Sequence, residues 1–132
     1  MLLTENIRRK LIKNFKEGSL AMGGENEIDF MPVVRLVSGE CSWILSELDP
    51  KTNLAFGLCD LGYPELGYVD INELVVFKDE VTGDSVSRDL DFIPDKTLNA
   101  MADEQAKTVL EKVALYTEIM KKEPLWFLKQ NE

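Results

Sequence analysis

The spacing of apolar and polar positions changes along the chain, and each change marks an element. Over residues 3–17 apolar side chains recur every four positions, at Leu3, Ile7, Leu11 and Phe15, with Ile12 widening the stripe. That spacing puts one apolar face on a helix. Thr4 is the expected N-cap and Gly18 the expected residue just past the end. Arg8, Arg9, Lys10, Lys13 and Lys16 fall largely off the stripe. They read as ordinary solvated bases rather than a nucleic-acid contact face. The period is lost over 18–30, where Gly18, Gly23, Gly24 and the run Glu25-Asn26-Glu27 predict a connector. Pro32-Val33-Val34-Arg35-Leu36-Val37 then predicts a strand entered after a proline. A turn at Ser38-Gly39-Glu40 follows.

The strongest local signal is a hairpin. Residues 42–48 and 54–60 flank the polar turn Asp49-Pro50-Lys51-Thr52-Asn53. Pairing Leu48 with Leu54 sets Ser46 against Phe56 and Ile44 against Leu58. Side chains alternate along a strand, so Ile44, Leu48, Leu54, Phe56 and Leu58 share one face, predicted as core. Phe56 is then expected among the most buried side chains. Glu47 is expected on the opposite face with Trp43, Leu45, Ala55, Gly57 and Cys59, a half-apolar face that a terminal helix would partly cover. Gly57 opposite Leu45 predicts a close backbone approach.

Asp60-Leu61-Gly62-Tyr63-Pro64-Glu65 reads as a loop and Leu66-Gly67-Tyr68-Val69 as a short strand. Asp70 is a candidate cap for a short helix over 71–77, with a strand at Val75-Val76-Phe77 left open. Strict alternation over residues 86–92 predicts a last half-buried strand. Leu98, Met101, Ala102, Val109, Val113, Tyr116 and Met120 trace a helical face, capped by Asp95 or Thr97, interrupted near Asp103 and ended by Pro124. The tail Leu125-Trp126-Phe127-Leu128 is apolar and is expected to dock on the body. Left exposed, it would suit a partner. Together these elements predict an α+β fold: an antiparallel sheet of about four or five strands packed with N- and C-terminal helices. The predicted organisation is a single domain over 1–132. It comprises an N-terminal helix (3–17), an acidic sheet region (31–95), a C-terminal helical segment (97–123) and an apolar tail (124–132).

Charge changes this picture. The net charge is −9. Residues 1–30 carry five acids and five bases, and residues 96–132 carry six of each. Residues 31–95 carry thirteen acids against only Arg35, Lys51, Lys78 and Arg88, which accounts for the whole imbalance. An anionic centre repels phosphate backbones, so tight nucleic-acid binding by the protein alone is not expected. The N-terminal charges predict no signal peptide, and no apolar run reaches the ~18 residues of a membrane span. Cys41 and Cys59 read as free thiols of a cytoplasmic protein.

The chain contains no histidine. Ser-His-Asp and Cys-His nucleophile systems and the usual Cys/His zinc sites are therefore outside its reach. No cofactor is expected. Metal chemistry would have to use carboxylates with magnesium or manganese. Glu47, Asp60 and Glu65 are the candidates for such a nuclease centre, though Asp49 and Asp60 are more simply turn residues. Arg88, ringed by acids, reads as an ion-paired residue or an anion contact. Of the aromatic residues Trp43, Tyr63 and Tyr68, the loop residue Tyr63 is expected to be the most exposed.

Several segments together resemble a known family. They are Pro32-Val33-Val34-Arg35, Glu47-Leu48-Asp49, Ala55 to Gly62, Pro64-Glu65-Leu66-Gly67 and Arg88-Asp89-Leu90-Asp91-Phe92, preceded by Leu2-Leu3-Thr4, Ile7-Arg8 and Lys10-Leu11. The chain resembles, over about residues 2–102, a family of small bacterial proteins known only as a domain of unknown function. Its loop at Gly62-Tyr63-Pro64 is tighter than the commoner form, and the resemblance does not reach the C-terminal helix and tail. The resemblance implies a setting on plasmids, phages and integrative elements. Some relatives are labelled single-stranded DNA endonucleases, and no catalytic residues come with the family.

The leading expectation is a non-enzymatic accessory protein of a mobile element that binds a host or element protein through its acidic surface. Inhibition of a nucleic-acid-handling defence enzyme is the specific form considered. Tyr63, Glu65, Asp60, Arg88 and Trp126 are the expected contact residues, and a homodimer is left open. The alternatives are a metal-dependent endonuclease acting on single-stranded DNA and a structural subunit of a conjugation or phage complex.

Overall fold

The computed structural model describes residues 1–24 and 27–122. The chain divides into two compact units, Met1–Ala102 and a second that begins at Asp103. The first unit is an α+β arrangement built on a five-stranded antiparallel sheet in the order β4-β3-β2-β1-β5. Helix α1 (Glu5–Ala21) precedes β1 (Val34–Ser38), β2 (Cys41–Leu48), β3 (Leu54–Asp60) and β4 (Pro64–Asp70). Helix α2 (Ile71–Val76), the two-residue strand β5 (Ser87–Arg88) and helix α3 (Leu98–Lys122) complete the order.

Thr4 caps α1, its hydroxyl accepting from the Ile7 amide at 3.2 Å. The helix does not stop at Gly18 as its composition predicts. It continues to Ala21. Glycine is used there for closeness rather than termination. A Cβ at Gly18 would lie 3.1 Å from Glu47 Oε1 and 3.1 Å from the Phe30 ring. Asp70 caps α2 as expected, accepting from the Asn72 amide at 2.8 Å.

The hairpin of β2 and β3 forms, with a register that corrects the expected one. Ile44 does pair with Leu58 and Leu45 with Gly57. Beyond them the ladder shifts, so that Glu47 pairs with Phe56 and Leu48 with Ala55. Ser46 is the extra residue of a β-bulge. Its carbonyl accepts instead from the Asn14 side chain of α1 at 3.0 Å. One inserted residue exchanges the faces of everything after it, because the side-chain period is two. Leu48 therefore joins Trp43, Leu45 and Ala55, and Glu47 moves to the Phe56 face.

The main core lies on the Trp43 face, opposite to expectation. Leu11 from α1, Val34 and Leu36 from β1, Trp43, Leu45, Leu48, Ala55, and Ile71 and Leu74 from α2 are buried together. Trp43 meets Phe77 edge to face, with ring centroids 5.1 Å apart. The helix expected over the half-apolar face is α1, and it covers the principal core. On the other face Ile44, Leu58 and Leu98 form a smaller cluster, with Phe56, Phe92, Met101 and Ala102 packed against it only partly buried. Leu54, expected in the core, is 38% exposed. Gly57 marks a close approach as predicted, for a Cβ there would run into the Ile44 carbonyl.

The alternation over 86–92 yields a strand of only two residues. Ser87 and Arg88 pair with Val37 and Leu36. Asp89 then turns the chain by accepting at its side chain from the Asp91 amide at 3.0 Å. Thr97 rather than Asp95 caps α3, its hydroxyl accepting from the Ala100 amide at 3.3 Å. The helix runs without the expected interruption at Asp103 to Lys122. In the second unit Val113, Tyr116 and Met120 lie exposed on this helix. The tail from Glu123 onward, including Trp126, lies outside the described residues.

Candidate functional site

Antiparallel pairing brings the β1–β2 turn and the β3–β4 turn to the same end of the sheet, since Ser42 stands opposite Asp60. The turn over 79–84 joins them there. Ser38 donates from its hydroxyl to the Asp84 carbonyl at 2.6 Å, and the Cys41 thiol to Asp79 Oδ1 at 3.8 Å. The three turns enclose an open depression of about 490 Å³ lined by Glu40, Cys41, Asp60, Leu61, Asp79 and Thr82, among others.

Each carboxylate here has a local reason for its position. Asp60 accepts from the Gly62 amide at 2.9 Å, which is the turn role its sequence context suggests. Asp79 Oδ2 accepts from the amides of Val81 at 3.0 Å and Thr82 at 2.8 Å and from the Thr82 hydroxyl at 3.1 Å. These bonds, led by the Thr82 amide, hold its carboxyl below the usual aspartate value. Glu65 pairs across the ladder with Cys59. Both thiols are pushed above the usual cysteine value, first by burial, then by neighbouring carboxylates, Asp79 for Cys41 and Glu65 for Cys59. They therefore stay protonated and weakly nucleophilic at neutral pH.

Apolar side chains sit among these acids. Leu61 is 65%, Tyr63 56% and Val81 92% exposed. Tyr68, on β4, is more exposed than Tyr63 at 67%, and Trp43 is buried. Asp60, Tyr63 and Glu65 are thus brought to one end of the sheet, as a contact surface would need. Sequence reasoning missed Glu40, Asp79 and Val81. The signal available for Asp79 was its spacing to Thr82 and Gly83, a side-chain-capped turn.

The other candidates lie elsewhere. Glu47 is at the far end of the β2–β3 ladder from Asp60, four pairs away along β3. At ~3.3 Å of rise per residue, the two carboxylates belong to different regions. Among the described residues no group of three or more Cys, Asp or Glu side chains is arranged to hold a metal ion. Arg88 sits on the edge strand, and nearby Arg35 pairs with Asp89 at 2.9 Å. Arg88 lines a wide apolar groove with Leu2, Leu3, Arg8, Val75 and Leu90. No helix among the described residues is long and apolar enough to cross a membrane.

Fold and surface define the chain as a small α+β protein with an acidic turn end. It belongs to a family described as "Protein of unknown function (DUF2958)", whose model matches residues 2–110 and so runs on into α3. No curated protein and no solved structure matches the chain.

Proposed function

We propose that the protein is a non-enzymatic binding module that docks a basic protein partner through the acidic turn end of its sheet. The observation that carries this reading is the mixture at one place of exposed Leu61, Tyr63 and Val81 with the carboxylates of Glu40, Asp60 and Asp79. Apolar anchors with a charged surround are the composition of a protein interface. The single sign of charge selects basic partners and speeds their encounter. In the mobile-element setting that the family resemblance implies, the partner is a host or element protein with a basic nucleic-acid-binding groove. Occupying that groove would inhibit it.

The test is differential capture from the native host with the wild-type chain and with a Tyr63→Ala/Asp60→Lys double variant. The reading expects a basic protein, retained by the wild type, eluted by salt and lost with the variant. Equal retention by both, or cleavage of single-stranded DNA by the purified protein with manganese, would overturn it in favour of another surface or of the nuclease reading.

A further inference from the structure

A second cavity, of about 200 Å³, opens beside the Ser46 bulge at the opposite end of the β2–β3 ladder. Its walls come from α1, β2, β3, β4, the connector between α1 and β1, and the first residues of α3, with Gly18, Phe30, Glu47, Phe56 and Tyr68 among them. Several local devices build it. Asn14 fixes the bulge, and the bulge turns Glu47 onto the Phe56 face. Gly18 lets the helix pass close to both Glu47 Oε1 and the Phe30 ring. Phe56 and Tyr68 stand side by side with ring centroids 5.1 Å apart and planes inclined at 56°. The connector is pinned to the start of α3, where the Leu98 amide donates to the Phe30 carbonyl at 2.9 Å. The Asn99 amide donates to Asp29 Oδ1 at 3.1 Å.

The charge of this cavity is one-sided. Glu27, Asp29 and Glu47 line it, and among the described residues no lysine or arginine does. The Glu47 side chain is partly buried, and its carboxylate makes no hydrogen bond or ion pair with any described residue. Burial alone pushes its carboxyl above the usual glutamate value. A partly desolvated carboxylate with no counter-charge is held at a cost that an incoming cation removes. Aromatic faces supply the second attraction, because their negative quadrupole favours cations. A metal ion fits poorly, since hard divalent ions require several oxygen ligands, and no such group is formed among the described residues.

We infer that the Glu47 cavity is a binding site for an organic cation, an alkylammonium or guanidinium group, seated between the Glu47 carboxylate and the Phe30, Phe56 and Tyr68 rings. Such a group comes either from a free amine or from a lysine or arginine side chain of another protein. The site does not depend on the acidic turn end, so either can fail without the other.

The test is a solution titration of the full chain, following the Phe56 and Tyr68 ring resonances. The probes are n-butylammonium, methylguanidinium, a capped Gly-Lys-Gly tripeptide and neutral 1-pentanol. Saturable shifts are expected with a cationic probe at a Kd on the order of 1 mM, as suits so small a ligand. Preference for butylammonium or methylguanidinium identifies a free cation, and preference for the tripeptide identifies a protein side chain. Glu47→Gln should weaken binding about tenfold while preserving the fold, and Tyr68→Leu about threefold with Glu47 intact. The inference is overturned if no cationic probe saturates, if pentanol binds as well as butylammonium, or if folded Glu47→Gln binds as tightly as the wild type.

Discussion

On one side of β2, Trp43, Leu45 and Leu48 are closed over by α1 and α2. On the other, Ile44 is sealed by Leu98, but Phe56 and Glu47 stand around a cavity. The same strand thus serves a packed core with one face and an open, electronegative pocket with the other. The difference comes from where apolar side chains arrive to meet it. Helix α1 brings Leu11 to the first face and reaches the bulge with Asn14, one turn further along. Opposite the bulge it offers Gly18, which fills no space. Burial is therefore complete where large side chains interlock and incomplete where a glycine and a bulge coincide.

The largest expected effect contrasts the two faces directly. Leu45 is fully buried, so Leu45→Ala should cost ~2–5 kcal/mol by lost burial and the cavity left behind. Phe56 borders a cavity already present and is only partly buried. Phe56→Ala should cost less, below ~3 kcal/mol, although it deletes more atoms. Urea denaturation of the two variants checks the order. A costlier Phe56→Ala would mean that the second face is the true core.

A smaller effect is expected at the joint between the faces. Asn14→Ala leaves the Ser46 carbonyl, unpaired in the ladder, without its 3.0 Å donor. The expected loss is ~1–3 kcal/mol, because a buried acceptor keeps its desolvation cost. Hydrogen exchange should show the added opening concentrated at residues 45–48. Uniform loosening across the sheet would argue that Asn14 merely packs.

Smallest, and opposite in sign, is the effect of Glu47→Gln. Burial raises the folded carboxyl, so the folded state holds this proton more tightly than the unfolded chain. Stability from this site is complete below the unfolded pKa and is lost as pH rises through the folded one. Removing the charge should therefore raise the melting temperature at pH 7. The margin should close towards about pH 4, where the unfolded carboxyl also protonates. A variant that melts lower at pH 7 would mean that Glu47 has a stabilising partner.

Much of the architecture was legible in residue spacing. The four-residue stripe of α1, the cap at Thr4, the hairpin around Asp49–Asn53 and the cap at Asp70 are local features, and each formed. Within the turn the Asn53 amide donates to the Asp49 carbonyl at 2.9 Å, and Asn53 takes a positive φ of 61°, which asparagine tolerates. The bulge was not legible, because Ser46 is extruded through a contact 32 positions away in sequence. With it went the assignment of the faces beyond Leu45. Gly18 misled for a related reason: its local meaning is helix termination, and tertiary contact overrode it. The strand over 86–92 shrank because Asp89 satisfies its own turn. Of the candidate site residues, Asp60, Tyr63 and Glu65 could be grouped from the sequence because they lie in and beside one tight turn, Asp60 ending β3 and Glu65 near the start of β4. Glu47 could not be separated from them without the register.

The position of Glu47 carries the contrast between the faces, and a carbon-detected NMR titration of its side-chain carboxyl tests that position most directly. The account predicts a midpoint above the ordinary glutamate value of about 4.3. It also predicts nuclear Overhauser contacts from the Glu47 methylenes to the Phe56 ring and none to the Trp43 indole. An ordinary midpoint together with contacts to Trp43 would return Glu47 to the α1 face and remove both the bulge and the cation site.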